Sequence, residues 1–174
     1  AFSPDGKTLY VSGGNQDVVY RYAWHDGTAS LTDSLVLALK SPRRGGTRYP
    51  AGLAPSRDGR LLYVAENLAD SLAVIDLASG HVVQRLATER YPYGVVVATD
   101  GTVYVSAWGG NTVSVFQPNG PTSLEDAGRI VVDRHPSALQ LNGDGSRLFV
   151  ASGSMDRISV LDTKSRKVIK RLLD

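Results

Sequence analysis

Short apolar runs alternate with polar, glycine-bearing turns from one end of the chain to the other. The runs LLYVAE (61–66), SLAVIDL (71–77) and HVVQRLA (81–87) show the pattern. They are rich in Val, Ile, Leu and Tyr, residues that suit a packed, pleated surface. AGLAPS (51–56) precedes them, and Asp58-Gly59 separates it from LLYVAE. Asp-Gly between apolar runs predicts a tight hairpin, because glycine supplies a positive φ without steric cost. The polar turns NLAD and ASG close the other two hairpins. The stretch therefore reads as four consecutive antiparallel strands. No helical period longer than a turn is present.

The same four-strand pattern recurs. FSPDGKTLYVSGG (2–14), PSRDGRLLYVAEN (55–67), VATDGTVYVSAWG (97–109) and LNGDGSRLFVASG (141–153) align on their Asp-Gly pairs, at spacings of 53, 42 and 44 residues. Four-stranded units of this length predict an all-β fold, a β-propeller. The four blades fall at about 1–47, 48–89, 90–133 and 134–174 of one partial domain. An open arc would leave apolar blade faces bare, so further blades or a second copy are expected to cover its ends. The extra length of the first unit lies in HDGTASLTD (25–33) and SPRRGGT (41–47), which read as loop insertions.

A second fragment keeps the same spacing. RYP stands at 48–50 and 90–92, and RHP at 134–136, each ahead of the innermost strand of a blade. Pro50, Pro92 and Pro136 read as structural joints, since proline fixes φ and needs no ladder donor at a strand start. Gly52, Gly94 and Ala138 follow two residues later and allow close approach around the axis. Arg48, Arg90 and Arg134 have no such structural necessity. With Tyr49, Tyr91, Tyr93 and His135 they form the candidate ligand-binding set, an arc of guanidinium groups and rings on the axial face suited to a small anionic ligand or an acidic loop. The competing reading pairs the arginines with Glu89 and Asp133. Asp17, Asp70 and Asp156, with Asn111 in the third blade, recur between the second and third strands and read as turn residues bonding their own backbone.

Composition narrows the chemistry. The 174 residues carry a net charge of +2 with both signs interspersed, which argues against nucleic acid as a partner. The basic run KSRKVIKR (164–171) reads as a solvated outer strand. No apolar run is long enough for a helix to cross a membrane, so no membrane insertion is expected. The absence of cysteine excludes disulfides, thiolate metal sites and a cysteine nucleophile. His25, His81 and His135 occupy three different blade positions and suggest no ligand set, so neither metal nor cofactor is expected. No nucleophile elbow or phosphate-cradling loop is found, and no catalytic residue is assigned.

SPDGKTLYVSGG, LYVAENLADSLAVIDLASGHVV and VYVSAWGGNTVSVF resemble the YVTN-type β-propeller repeat. AENLADSLAVIDL, YVSAWGGNTVSVF and RHPSAL are also similar to the N-terminal propeller of secreted bacterial proteins that carry an alkaline-phosphatase-like phosphoesterase domain. The resemblance implies a larger ring of about seven blades, and an extracytoplasmic, non-catalytic scaffold or interaction domain, with a protein partner or a second copy completing the ring. Two alternatives accompany it: an accessory propeller of a phosphoesterase-type hydrolase, and a lactonase-like propeller enzyme.

Overall fold

A computed structural model describes residues 1–39 and 45–173. Among them the chain forms four antiparallel sheets in sequence order, with two single-turn 3-10 segments and no longer helix. The first sheet contains β1 (Thr8–Ser12), β2 (Val18–His25) and β3 (Thr28–Val36). Its inner edge is occupied by Ala1 and Phe2, which pair with Tyr10 and Leu9. The second sheet is β4 (Pro50–Pro55), β5 (Leu61–Glu66), β6 (Ser71–Asp76) and β7 (His81–Ala87). The third is β8 (Pro92–Val97), β9 (Val103–Ala107), β10 (Thr112–Pro118) and β11 (Leu124–Val131). The fourth is β12 (Pro136–Leu141), β13 (Arg147–Ser152), β14 (Arg157–Asp162) and β15 (Lys167–Leu173). Each sheet is a meander, the arrangement of a propeller blade.

The side-chain alternation of the middle strands explains the stacking. In β5, Leu62 and Val64 face the first blade, while Leu61, Tyr63 and Ala65 face the third. Both faces are therefore buried, as a sheet between two neighbours requires. Three apolar cores result, one at each blade junction. The aromatic of the LYV motif always points to the following blade: Tyr10, Tyr63 and Tyr104 are each buried there. Burial holds the Tyr63 and Tyr104 phenols protonated, with pKa values above the ordinary tyrosine range.

Polar contacts stitch the same junctions. Gln84 and the Leu124 backbone exchange two hydrogen bonds of 2.8 Å between the outer strands of the second and third blades. Arg166 donates to the Ala127 carbonyl at 3.0 Å across the next junction. The rest of the basic run 164–171 is mostly exposed along β15.

One expected loop is a strand. Residues 25–33 extend the hairpin of the first blade, because Asp26-Gly27 makes a two-residue turn with φ of 48° and 75°. The polarity of HDGTASLTD disguised the extension: residues 28–34 are exposed on both faces, so the strand has no apolar pattern. Of the second expected insertion, residues 41–44 lie outside the described residues. Gly46 and Thr47 are held there by Asn15 Oδ1 and Asp17 Oδ2, at 2.8 and 2.6 Å.

Candidate functional site

The three joints share one backbone conformation. Tyr49, Tyr91 and His135, each directly before proline, have φ of 53°, 54° and 56°. This left-handed conformation is unfavourable for a non-glycine residue and needs support. Turns on both sides supply it. On one side, Asn67 N–H donates to the Tyr49 carbonyl at 3.0 Å, Trp108 N–H to Tyr91 at 2.9 Å, and Gly153 N–H to His135 at 3.1 Å. On the other, the preceding blade offers acceptors. Asp17 Oδ1 accepts the Arg48 and Tyr49 N–H groups, both at 2.9 Å, and Asp70 Oδ1 accepts Tyr91 N–H at 2.9 Å. At the last junction the Gly110 carbonyl takes this role for His135 N–H, at 3.0 Å.

The aspartates thus do more than shape their own turns. Asp17, Asp70 and Asp156 are left-handed, as turn residues, but the Asp17 and Asp70 carboxylates bond the backbone of the next joint, not their own. Asp17 is 1% exposed. Burial pushes its carboxyl pKa up, but the N–H groups of Tyr49, Thr47 and Arg48 outweigh this and hold it below the usual range.

The joints carry their side chains to different places. Tyr91 and Tyr93 line a cavity of about 660 Å³ on the axial face, with Asn67, Leu68, Trp108, Ser137 and Ala138. Tyr93 is 51% and Trp108 48% exposed. His135 stacks on Trp108 with ring centroids 4.9 Å apart and planes 20° from parallel, and its Nδ1 hydrogen-bonds Ser154. Tyr49 lines an adjoining cavity of about 590 Å³ that shares Tyr93, Ser137 and Ala138 with the first. Arg90 lies beside this mouth, its guanidinium carbon 5.2 Å from the Tyr91 ring centroid.

The other two arginines differ in their surroundings. Arg48 reaches Glu66 at 3.7 Å, and its buried Nε has no partner among the described residues. Glu66 is fully buried and also accepts Ser71 Oγ and Arg85 Nε, at 2.6 and 2.9 Å. Arg134 is exposed. The acids expected to pair with the arginines are engaged elsewhere: Glu89 accepts Thr112 Oγ1, and Asp133 accepts Ser159 Oγ at 3.1 Å and Arg171 Nε at 3.2 Å. The joint set therefore brings rings to the mouth, with Arg90 beside Tyr91 and Arg48 paired with Glu66.

Trp108 is the residue that the joint fragments did not reveal. It occupies the position held by Asn67 and Gly153 in neighbouring blades, since all three N–H groups clamp a joint carbonyl. A bulky aromatic where sister repeats place Asn or Gly was the available signal. Among the described residues no three His, Asp or Glu side chains converge to hold a metal ion. Among the same residues no helix is long and apolar enough to cross a membrane.

Solved structures share this architecture. Kuenenia stuttgartiensis hydrazine synthase superposes with a TM-score of 0.83 at 23% identity, over 99% of this chain and 47% of that one. A Bacteroides uniformis protein described as a candidate 6-phosphogluconolactonase gives 0.83 at 17% identity, over 99% and 53%. The Pseudomonas aeruginosa periplasmic gluconolactonase gives 0.75 at 20%, over 99% and 55%. The chain spans about half the length of these structures, and at such identities the likeness shows the fold. No curated protein matches the sequence significantly. The sequence model of the SMP-30/gluconolactonase/LRE-like region matches residues 41–154, more than half of the chain. On that match, the chain belongs to the SMP-30/gluconolactonase/LRE-like propeller family.

Proposed function

We propose that this chain supplies part of a lactonase-like propeller enzyme whose axial mouth takes a sugar lactone bearing an anionic group. The observation that carries the reading is the aromatic mouth: Trp108, backed by His135, stands half-exposed beside Tyr91 and Tyr93 with Arg90 next to them. Family membership and the lactonase neighbours favour it over a non-catalytic scaffold.

Lactone hydrolysis bonds a water oxygen to the carbonyl carbon and breaks the bond from that carbon to the ring oxygen. The ring oxygen leaves as a hydroxyl, and the products are a hydroxy-carboxylate and a proton. In this reading the faces of Trp108 and Tyr93 hold the sugar ring. Arg90 binds a phosphate or carboxylate, for which its planar fork is suited. His135, stacked on Trp108, holds the indole in place for its contact with the ring. The remaining groups come from outside these 174 residues.

The test is a steady-state assay of the protein carrying this chain with glucono-δ-lactone and 6-phosphogluconolactone. Arg90→Ala is expected to raise KM for the phosphorylated lactone about tenfold, the worth of one charge-assisted contact, and to change the unphosphorylated one less. Trp108→Ala raises KM for both. Absence of turnover, or variants with unchanged constants, would contradict the reading.

A second reading, a non-catalytic domain docking a protein partner or a second copy, draws on the same half-exposed aromatics, because Trp and Tyr anchor interfaces. The YVTN-type repeat and a place ahead of a phosphoesterase domain rest on the sequence fragments quoted above. We also propose that the four blades form one domain and that the protein acts outside the cytoplasm, as the periplasmic neighbour does.

A further inference from the structure

The blades have a second end, away from the joints. β8 runs six residues, about 20 Å, from the Tyr91-Pro92 joint toward the Asp100-Gly101 turn. At that end a cavity of about 440 Å³ opens between the third and fourth blades. At the preceding junction Arg57 reaches across from the second blade, and its Nε donates to the Ala98 carbonyl at 3.3 Å. Thr99 stands in the place of Arg57 relative to the Asp-Gly turn. It makes no hydrogen bond across the next junction among the described residues, and the gap there stays open.

Tyr104 lines this gap although it is only 2% exposed, and its hydroxyl has no hydrogen-bond partner among the described residues. Held protonated by burial, the phenol has a proton to donate. The charges around it are divided by position. Asp100 and Asp144 stand on the turns nearer the axis, where their Oδ1 atoms accept Thr102 N–H at 2.9 Å and Ser146 N–H at 2.8 Å. Lys164 and Arg166 stand on the outer turn between β14 and β15, at the start of the basic run. Thr163 pins that turn to the inner one, donating from Oγ1 to the Gly145 carbonyl at 2.8 Å. Lys164 is exposed and has no ion-pair partner among the described residues. Arg166 spends Nη1 on the Ala127 carbonyl and keeps the rest of its fork.

We propose that this crevice is a second binding site, for a small polyhydroxylated anion such as a sugar acid or a sugar phosphate. Lys164 and Arg166 take the anionic group, the contact for which ammonium and guanidinium are suited. Asp100 and Asp144 accept ligand hydroxyls, since each carboxylate has lone pairs beyond those its own turn uses. Tyr104 donates from below. A bare anion would be repelled by the two carboxylates, and a neutral sugar would leave both cations unused, so the occupant carries hydroxyls and a negative charge together. The inference is independent of the axial mouth, which lies at the other end of the inner strands.

The test titrates the isotopically labelled protein carrying this chain with gluconate, glucose 6-phosphate and neutral glucitol, and follows amide signals of 98–104 and 163–166. Gluconate or glucose 6-phosphate should shift them saturably; binding by either supports the proposal, and their ratio identifies the anionic group. Glucitol should bind at least about tenfold more weakly, the worth of a charge-assisted contact. Tyr104→Phe strands no partner, so the fold is kept, and affinity should fall about fivefold, the worth of one hydrogen bond. Lys164→Ala should weaken the anions and leave glucitol unchanged. The Trp108 indole signal reports the mouth in the same titration, so failure at one site is separate from failure at the other. The proposal is overturned if no anion shifts 98–104 and 163–166 saturably, if glucitol binds as tightly as gluconate, or if Tyr104→Phe and Lys164→Ala both bind like the parent.

Discussion

Tyr49, Tyr91 and His135 sit in a conformation that L-residues avoid, and the cost is met by neighbours on both sides of the joint. Asp17 carries the largest share at its junction, accepting from Thr47, Arg48 and Tyr49. Asp17→Gly preserves the turn but strands these donors, so it should destabilise the protein by about 2–3 kcal/mol in urea unfolding. Because the folded-state pKa is depressed, this contribution is complete at neutral pH. It shrinks as pH falls through the unfolded value of about 3.9 and vanishes below the folded value. The gap between wild type and Asp17→Gly should therefore narrow as pH falls below about 3.9; a gap that stays constant would mean the carboxylate charge is irrelevant. The sequence showed the recurrence of Asp17, Asp70 and Asp156, but not what they bind. The joint partners of Asp17 and Asp70 lie 32 and 21 residues away, beyond the reach of local turn rules.

Between elements, the inner strands decide how tightly the blades can converge. A methyl at Gly52 would overlap the Tyr93 carbonyl oxygen, and one at Gly94 would stand 2.5 Å from the Ser137 carbonyl oxygen. Both obstacles are backbone and cannot swing aside. Ser106 then ties the same two strands, accepting Gly94 N–H at 2.8 Å and donating to Ser137 O at 2.6 Å. Gly52→Ala and Gly94→Ala should each cost about 1–3 kcal/mol, checked by thermal unfolding, although alanine normally favours a strand over glycine. Unchanged stability would show that the arc can open without penalty. Strand positions were the most legible feature: β5 coincides with LLYVAE, because its alternate faces pack on two blades and impose a dense apolar pattern. The 25–33 ribbon was illegible because nothing packs on it and its residues carry no such pattern.

For the molecule as a whole, four blades in an arc bring three joints to one face, and the mouth there is aromatic rather than arginine-lined. The ring residues of the joints were legible from their 42- and 44-residue recurrence; the destination of each arginine was not, since Glu66 and Asp133 choose partners through the fold. Only two tryptophans are present, and Trp24 lies in the first blade against Phe2. A Trp24→Phe variant therefore makes Trp108 the sole indole reporter of the mouth. The most direct measurement is its fluorescence as 6-phosphogluconate, the hydroxy-acid product, is added to the protein carrying this chain. A saturable change that Arg90→Ala weakens is the predicted result. Fluorescence that stays flat to saturating product, or a change indifferent to Arg90, would contradict the assignment of this face as the lactone site.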